Sequence, residues 1–508
     1  MSELQIITAT HFFKCINIAP RARPVIDSFA RTLVLHGWVR ERNTYVKAPL
    51  KVFAMATHDR SEYRFHINLL DAFKRHLIEF RLVDDMVQYS SIPIPIPVDV
   101  DIKIKDHWVL RDYQIPIVDY LLSNDAPVSK FVNLQTGMGK SFIAMKAIST
   151  LRYRTLIVVK PMYLEKWVED IERTYDIDPD DVVVIRGSSQ LLTLLTSAEN
   201  NELDFKIILI SSKTIANWLK LYEKYMSETI EMGYPCLPED LCKLLGIGVL
   251  VLDEVHQEFH ANFKFLLTTN VFRSISLSAT LISEDPFISK MYGVAYPVTS
   301  QYGGNTYSKY VIATAVFYTF KNPFKIQSTD RVSKNYNHHL LEQSVLKQHN
   351  VKVNYLNLIN DSLKGSYLLD YKPGQRCLIF CMSVDMCTVV TAYLRKQHPH
   401  LNINRYVADD EFESLMTSDI SVSTLGSAGT AVDIDMLHTV ILTIAVSSIQ
   451  ANIQSIGRLR PLKDGRNPRF LYFVCTDIPK HIVYHESKRE LLETRAHSYN
   501  NVYYNNQI

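Results

Sequence analysis

Two stretches of this chain combine residue types that can hold and cleave a polyphosphate. The first, Asn133-Leu134-Gln135-Thr136-Gly137-Met138-Gly139-Lys140-Ser141, follows the apolar pair Phe131-Val132 and precedes the apolar-rich run Phe142 to Ile148. A glycine-bearing turn between a buried strand and a helix aims backbone N–H groups and the positive helix end at one point, where phosphate oxygens are stabilised. Thr136, Gly137, Met138 and Gly139 supply that turn. Lys140 is expected against the β- and γ-phosphates, and the Ser141 hydroxyl in a coordination position on Mg2+. Leu134 stands where the fuller form of the pattern has glycine.

The second stretch, Gly248-Val249-Leu250-Val251-Leu252-Asp253-Glu254-Val255-His256, reads as a buried strand that ends in two adjacent carboxylates. Carboxyl ends of strands in an open α/β sheet face the ligand crevice, so both acids are expected beside the phosphate loop. Asp253 would hold Mg2+ through its water shell, and Glu254 would polarise the attacking water as general base. An Asp-Glu pair also suits the start of a helix; the phosphate loop upstream favours the catalytic reading. Ser278 and Thr280, in Ser278-Ala279-Thr280 after the next apolar strand, can hydrogen-bond the acidic pair and relay the phosphate state. Before the loop, Leu110-Arg111-Asp112-Tyr113-Gln114 offers a glutamine amide that can read the two-faced edge of adenine, which makes the nucleotide ATP.

Further on, Gln454-Ser455-Ile456-Gly457-Arg458-Leu459-Arg460 presents two arginines beside a tight glycine. An arginine can neutralise charge that develops on the γ-phosphoryl group, and one supplied by a second domain ties hydrolysis to domain closure. The small-residue loop from Ser423 to Asp433 lets backbone amides approach phosphate closely, on nucleotide or on nucleic acid.

The ordered set Arg-x-Tyr-Gln, Thr-Gly-x-Gly-Lys-Ser, Asp-Glu-x-His, Ser-Ala-Thr, Thr-x4-Gly-x3-Asp and Gln-x-x-Gly-Arg resembles superfamily 2 helicases and translocases, over about residues 105 to 475. Asp-Glu-Val-His is close to that family's DEAH variant. The resemblance implies that Arg111, Gly429 and Asp433 join the nucleotide site and that Gln454, Arg458 and Arg460 complete it. It implies that His256, Ser278 and Thr280 couple the two ligands, and that Lys160, Pro161, Ser212, Thr214, Ser383 and Thr424 contact a nucleic-acid backbone. Arg460 stands six residues after Gln454, one short of the usual spacing, so Arg458 and Arg460 remain alternatives for the arginine finger. The module ahead of the motor and the Leu-Arg-x-Tyr-Gln start look most like UvsW-type phage branch-migration helicases. That implies forked, branched or single-stranded DNA as partner; an RNA-directed motor is the alternative, and a nucleotide-binding scaffold without turnover a third.

The expected fold class is α/β: two RecA-like parallel-sheet domains in tandem, preceded by a small α+β N-terminal domain. The boundaries expected are 1–104 for that module, 105–300 for the first motor domain, 301–345 for a junction and 346–508 for the second motor domain. Ser91-Ile92-Pro93-Ile94-Pro95-Ile96-Pro97-Val98 excludes helix and marks the end of the module. Within the module, strands are expected over 14–18, 46–56 and 63–67, and helices over 24–35 and 69–82. Between residues 20 and 51, seven basic residues face only Asp27 and Glu41, with Trp38 and Tyr45 among them and Phe53 just beyond. Such a segment suits nucleic-acid phosphates with a ring available to stack, or a solvated face with its aromatics in the core.

The 508 residues carry a net charge of only +2, so any polyanion partner is held by local clusters. Seven cysteines without a Cys-x-x-Cys pair argue against zinc and against a disulfide framework, and so for a cytoplasmic protein, in the host cell if viral. Trp167 and Trp218 are expected in the core, and His338-His339 at the surface. No apolar run approaches the ~18–20 residues of a membrane span.

Overall fold

The computed structural model describes residues 3–41, 44–82, 86–125, 127–135, 137–200, 204–279, 281, 283, 285–302, 309–330, 333–407, 410–428, 434–447, 452, 455–462 and 464–508. It divides into two units, Met1–Asn305 and Thr306–Ile508.

The first unit holds two sheets. A five-stranded mixed sheet runs in the order Met55–Ala56, Tyr63–His66, Phe12–Ile16, Leu4–Thr8, Val87–Ser91, with the last pair parallel. Helices Arg23–Arg31 and Leu70–Glu79 pack on it through Phe29 and Phe73, whose rings meet Phe13 and Phe65. The expected helix over 24–35 stops early, and Val34–Glu41 pairs instead with Thr44–Val52 in a separate antiparallel ribbon.

The six-stranded sheet is parallel throughout, in the order Val182–Ile185, Ile207–Ser211, Thr155–Val159, Val249–Leu252, Arg273–Ser278, Ser129–Asn133. The unbroken burial of Thr155–Val159, Ile207–Ser211 and Val249–Leu252 explains why they read as continuous apolar runs. Because the strands are parallel, their carboxyl ends gather Asn133, Lys160, Asp253 and Ser278 at one edge.

The proline-rich connector lies along this body and does not hang free of it. Asn270 Nδ2 donates to Pro93 O, Val98 N to Gly246 O and Arg154 N to Val98 O. Gly248 is required there, since a Cβ would fall 2.6 Å from Pro97 Cβ. The module itself docks through Thr10 N and Oγ1 to Asn270 Oδ1, and through His11 Nε2 to Ser274 Oγ at 2.6 Å. Arg64, buried, pairs with Glu62 and Glu239, and Lys264 donates to Ala54 O and to Glu223.

The second unit is a seven-stranded parallel sheet, ordered Ile403–Tyr406, Ile420–Thr424, Arg376–Cys381, Leu437–Leu442, Arg469–Cys475, Ile312–Tyr318, Ser498–Tyr503. Residues 301–345, read from sequence as a junction, supply Ile312–Tyr318, which lies between two strands of this sheet. The chain is thus α/β with two RecA-like parallel sheets behind an α+β module. All seven cysteines are buried and free. Among the described residues no helix is long and apolar enough to cross a membrane, and no group of three or more His, Cys, Asp or Glu could hold a metal.

Candidate active site

The phosphate loop leaves the strand Ser129–Asn133 and enters the helix Lys140–Leu151. Gly137 and Gly139 both have positive φ, 85° and 76°, the region in which glycine carries no steric cost. A Cβ on Gly139 would lie 2.5 Å from Gln114 Nε2, so this glycine is fixed by space as well as by backbone. Lys140 is the first residue of the helix and is buried, its Nζ 3.2 Å from Leu134 O and 3.6 Å from Glu254 Oε1. Ser141 follows it on the same first turn.

Gln114 is packed against the loop. Its Oε1 accepts from Arg111 N at 3.0 Å and its Nε2 donates to Met138 O at 3.1 Å, where Tyr113 Oη also donates. One amide hydrogen and one oxygen lone pair remain for a base edge. Arg111 Nη1 donates to Tyr113 Oη.

The two carboxylates stand at the end of Val249–Leu252. Burial, and then the Glu254 carboxylate beside it, push Asp253 above the usual carboxylate range. Trp167 Nε1, from the helix Leu164–Thr174, opposes this by donating to Asp253 Oδ2 at 2.9 Å. Glu254 adopts φ 45°, a left-handed backbone that side chains seldom take, and its Oε2 is buried without a hydrogen-bond donor. The hard-oxygen donors of Asp253 and Ser141 suit Mg2+, and a divalent cation would relieve the raised carboxylate.

His256 Nδ1 lies 2.7 Å from Ser278 Oγ and 3.3 Å from Glu254 Oε2. Burial lowers the imidazole to about 4, so the ring is neutral and its contact with Glu254 is not an ion pair. Ser278 O in turn accepts from Leu134 N, which links the third motif to the phosphate loop.

The remaining expected residues are placed as follows. Lys160 and Pro161 follow the strand Thr155–Val159, with Pro161 exposed. Ser212 and Thr214 begin the helix Ser212–Tyr225 but are buried, with Lys213 the exposed group between them. In the second unit Ser383 is also buried. Its Oγ donates to Glu342 and accepts from Met386 N, while Thr424 Oγ1 meets Ser427 Oγ. Arg458 is buried, and Arg460 Nη1 donates to the carbonyls of Gly457 and Leu459. Thr136, Thr280, Gly429, Asp433 and Gln454 lie outside the described residues.

Two residues escaped the sequence reading. Trp167 was read only as core, and its core position is the reason its N–H is aimed so firmly. Glu342 looks like a surface acid on a helix, yet its carboxylate accepts from Met382 N, Ser383 N and Ser383 Oγ. It therefore fixes the loop that carries Ser383. Trp167→Phe is expected to lower kcat about tenfold, from the loss of a hydrogen bond to a charged group. Removing the donor raises Asp253 further, so the acid limb of the pH–rate profile should move to higher pH. An unmoved limb in a variant of unchanged melting temperature would reject this role.

Comparison with known proteins gives two matches in sequence and a likeness in fold. Residues 107–283 match the family described as Type III restriction enzyme, res subunit. A stretch of 93 residues is 34% identical to the DNA 3'-5' translocase XPB2 of Sulfurisphaera tokodaii. That stretch is 18% of this chain and 20% of the relative, so the chain spans about a fifth of that protein's length. In fold, the chain is similar to a fragment described as an HsdR subunit of a type I restriction enzyme from Vibrio vulnificus. The TM-score is 0.50 at 14% identity, over 78% of this chain and 69% of that one. It is also similar to S. cerevisiae Dbp5 bound to RNA and ADP BeF3, with TM-score 0.48 at 11% identity, over 77% and 89%.

Proposed function

We propose that this chain is an ATP-driven superfamily 2 DNA helicase or translocase acting on forked or branched DNA, in the manner of branch-migration enzymes. The observation that supports it best is the cluster of Lys140, Asp253 and Glu254 beyond the carboxyl ends of two parallel strands, Ser129–Asn133 and Val249–Leu252, that flank Arg273–Ser278, with Lys140 Nζ 3.6 Å from Glu254 Oε1. In this reading the Lys140 ammonium exchanges Glu254 for the β- and γ-phosphates, which frees the carboxylate to polarise a water. Bound Mg2+ would supply positive charge to offset the charge that develops on the phosphates. Asp253 and Ser141 hold it, Trp167 keeps Asp253 ionised, and Gln114 reads the adenine. Arg458 or Arg460 completes the site from the second motor domain. His256 and Ser278 carry the nucleotide state to the loops at Lys160, Ser212, Ser383 and Thr424, which hold successive phosphates of one strand. The N-terminal module, residues 1–104, guides the duplex arms, and the enzyme works in the cytoplasm.

The test is steady-state ATP hydrolysis at fixed salt with no nucleic acid, single-stranded DNA, forked DNA or single-stranded RNA. The expected result is strong stimulation by DNA, greatest with forks. Stimulation by RNA alone would replace this reading with an RNA-directed motor. No turnover under any condition would leave a nucleotide-binding scaffold.

A further inference from the structure

The ribbon formed by Val34–Glu41 and Thr44–Val52 leaves much of its described surface open, and its two faces differ. His36, Trp38, Tyr45, Lys47 and Pro49 are exposed, whereas Leu35, Gly37, Val39, Val46 and Ala48 are half-buried, as a period of two requires. The antiparallel register sets His36 against Pro49 and Trp38 against Lys47, so the exposed residues share one face. On the other face the Leu50 side chain lies where a Cβ on Gly37 would be, at 2.3 Å, and so covers the ribbon from behind. Trp38 is left 71% exposed and Tyr45 65%.

A two-stranded ribbon is marginal in water, and its root supplies what the blade lacks. Phe53, buried, sets its ring against Phe263 at 5.0 Å, His260 at 4.9 Å and Phe259 at 5.7 Å. Phe53 N donates to Leu33 O, and His260 Nε2 lies 2.9 Å from Val52 O. The helix Phe259–Leu266 that receives the root begins three residues after His256. A large exposed aromatic face on an anchored blade buries no core and is the kind of surface that marks a binding site.

We propose that this face is a stacking platform for single-stranded nucleic acid, with a base on Trp38, a second ring contact from Tyr45 and a backbone phosphate at Lys47. The occupant follows from the chemistry: flat rings interleaved with cations match the base-and-phosphate repeat of a single strand. Arg23, Arg31 and Lys51 are also exposed, as is Arg21 beside Glu3, and they add positive charge to the module. The inference rests on the motor reading and names where, outside the two parallel sheets, the strand is held.

The experiment uses the full chain with labelled oligothymidylate and oligouridylate, read by anisotropy and by quenching of tryptophan fluorescence. Trp38→Ala should weaken binding about tenfold or more and remove most of the quenching, because Trp167 and Trp218 are buried and Trp108 is half-buried with its N–H donated to Arg173 O. Trp38→Phe should restore most of the affinity, and Lys47→Ala should lower the slope of log affinity against log salt by about one. Melting temperatures should stay unchanged, as the altered side chains are exposed. The two oligonucleotides decide which sugar the platform accepts. Unchanged affinity in Trp38→Ala, in a protein whose ATP hydrolysis is stimulated by nucleic acid, overturns the platform and leaves the motor standing. A wild-type chain that binds neither oligonucleotide and shows no stimulation overturns both. Loss of self-association in Trp38→Ala with unchanged oligonucleotide binding overturns the proposal in favour of contact between copies.

Discussion

Glu254→Gln lowers the steady-state rate of ATP hydrolysis by about 10²–10⁴-fold, the range expected for loss of a positioned general base. Glutamine keeps the shape and the left-handed backbone of this position, at φ 45°, so the change is in charge and basicity alone. Nucleotide affinity should hold or rise, because the variant removes an anion that pairs with Lys140 and would face phosphate. The check is kcat beside nucleotide retention on a filter or column: a trapped, unhydrolysed ATP is the expected state. Turnover equal to wild type would show that another group activates the water.

The second large effect lies away from the nucleotide. Lys488 is buried beside the Tyr472 ring, 4.5 Å from its centroid, and burial lowers its ammonium to about 7. Between pH 7 and about 10.5 the unfolded chain carries a proton here that the folded chain does not, so stability rises with pH across this window. The slope contributed is at most about 1.4 kcal/mol per pH unit. Lys488→Met should therefore raise stability at pH 7 by roughly 1–3 kcal/mol and flatten the difference between pH 7 and pH 9. Urea midpoints of both proteins at the two pH values measure it. Cysteine and tyrosine titrations are common to both proteins and cancel in the comparison. A variant less stable than wild type at pH 7 would mean that the contact with Tyr472 outweighs desolvation.

The sequence was most legible where burial is unbroken. Val249–Leu252 is apolar at every position and Ile207–Ser211 at every position but its last, as fits strands buried on both faces, and the acids and serines at their ends stand out against those runs. Long-range register was not legible. Nothing near Trp167 points to Asp253, because the bond depends on how the helix Leu164–Thr174 lies over strands that come much later in the chain. Glu342 was invisible for the same reason, its partners lying forty residues on. His338, expected at the surface with His339, is buried, with Tyr336 Oη lying between it and His481 Nε2 at 2.6 Å; only His339 is exposed. The ribbon was hard to read because its exposed face carries Trp38 and Tyr45 while its half-buried face mixes Leu35, Val39 and Val46 with Gly37 and Ala48, so the period-two contrast in hydrophobicity is blurred. Of the three aromatics in that segment, Phe53 took the core and Trp38 and Tyr45 took the solvent.

The proline-rich segment looked like a tether, and its pinning to Gly246, Arg154 and Asn270 gives it another meaning. With Thr10 and His11 bonded to Asn270 and Ser274, the module and the phosphate loop share one coordinate frame. Under the proposed function, a strand running from the Trp38 face to the loops at Lys160 and Lys213 would be held by one compact unit throughout. On that proposal the first unit would serve as a ruler whose zero mark is the phosphate loop.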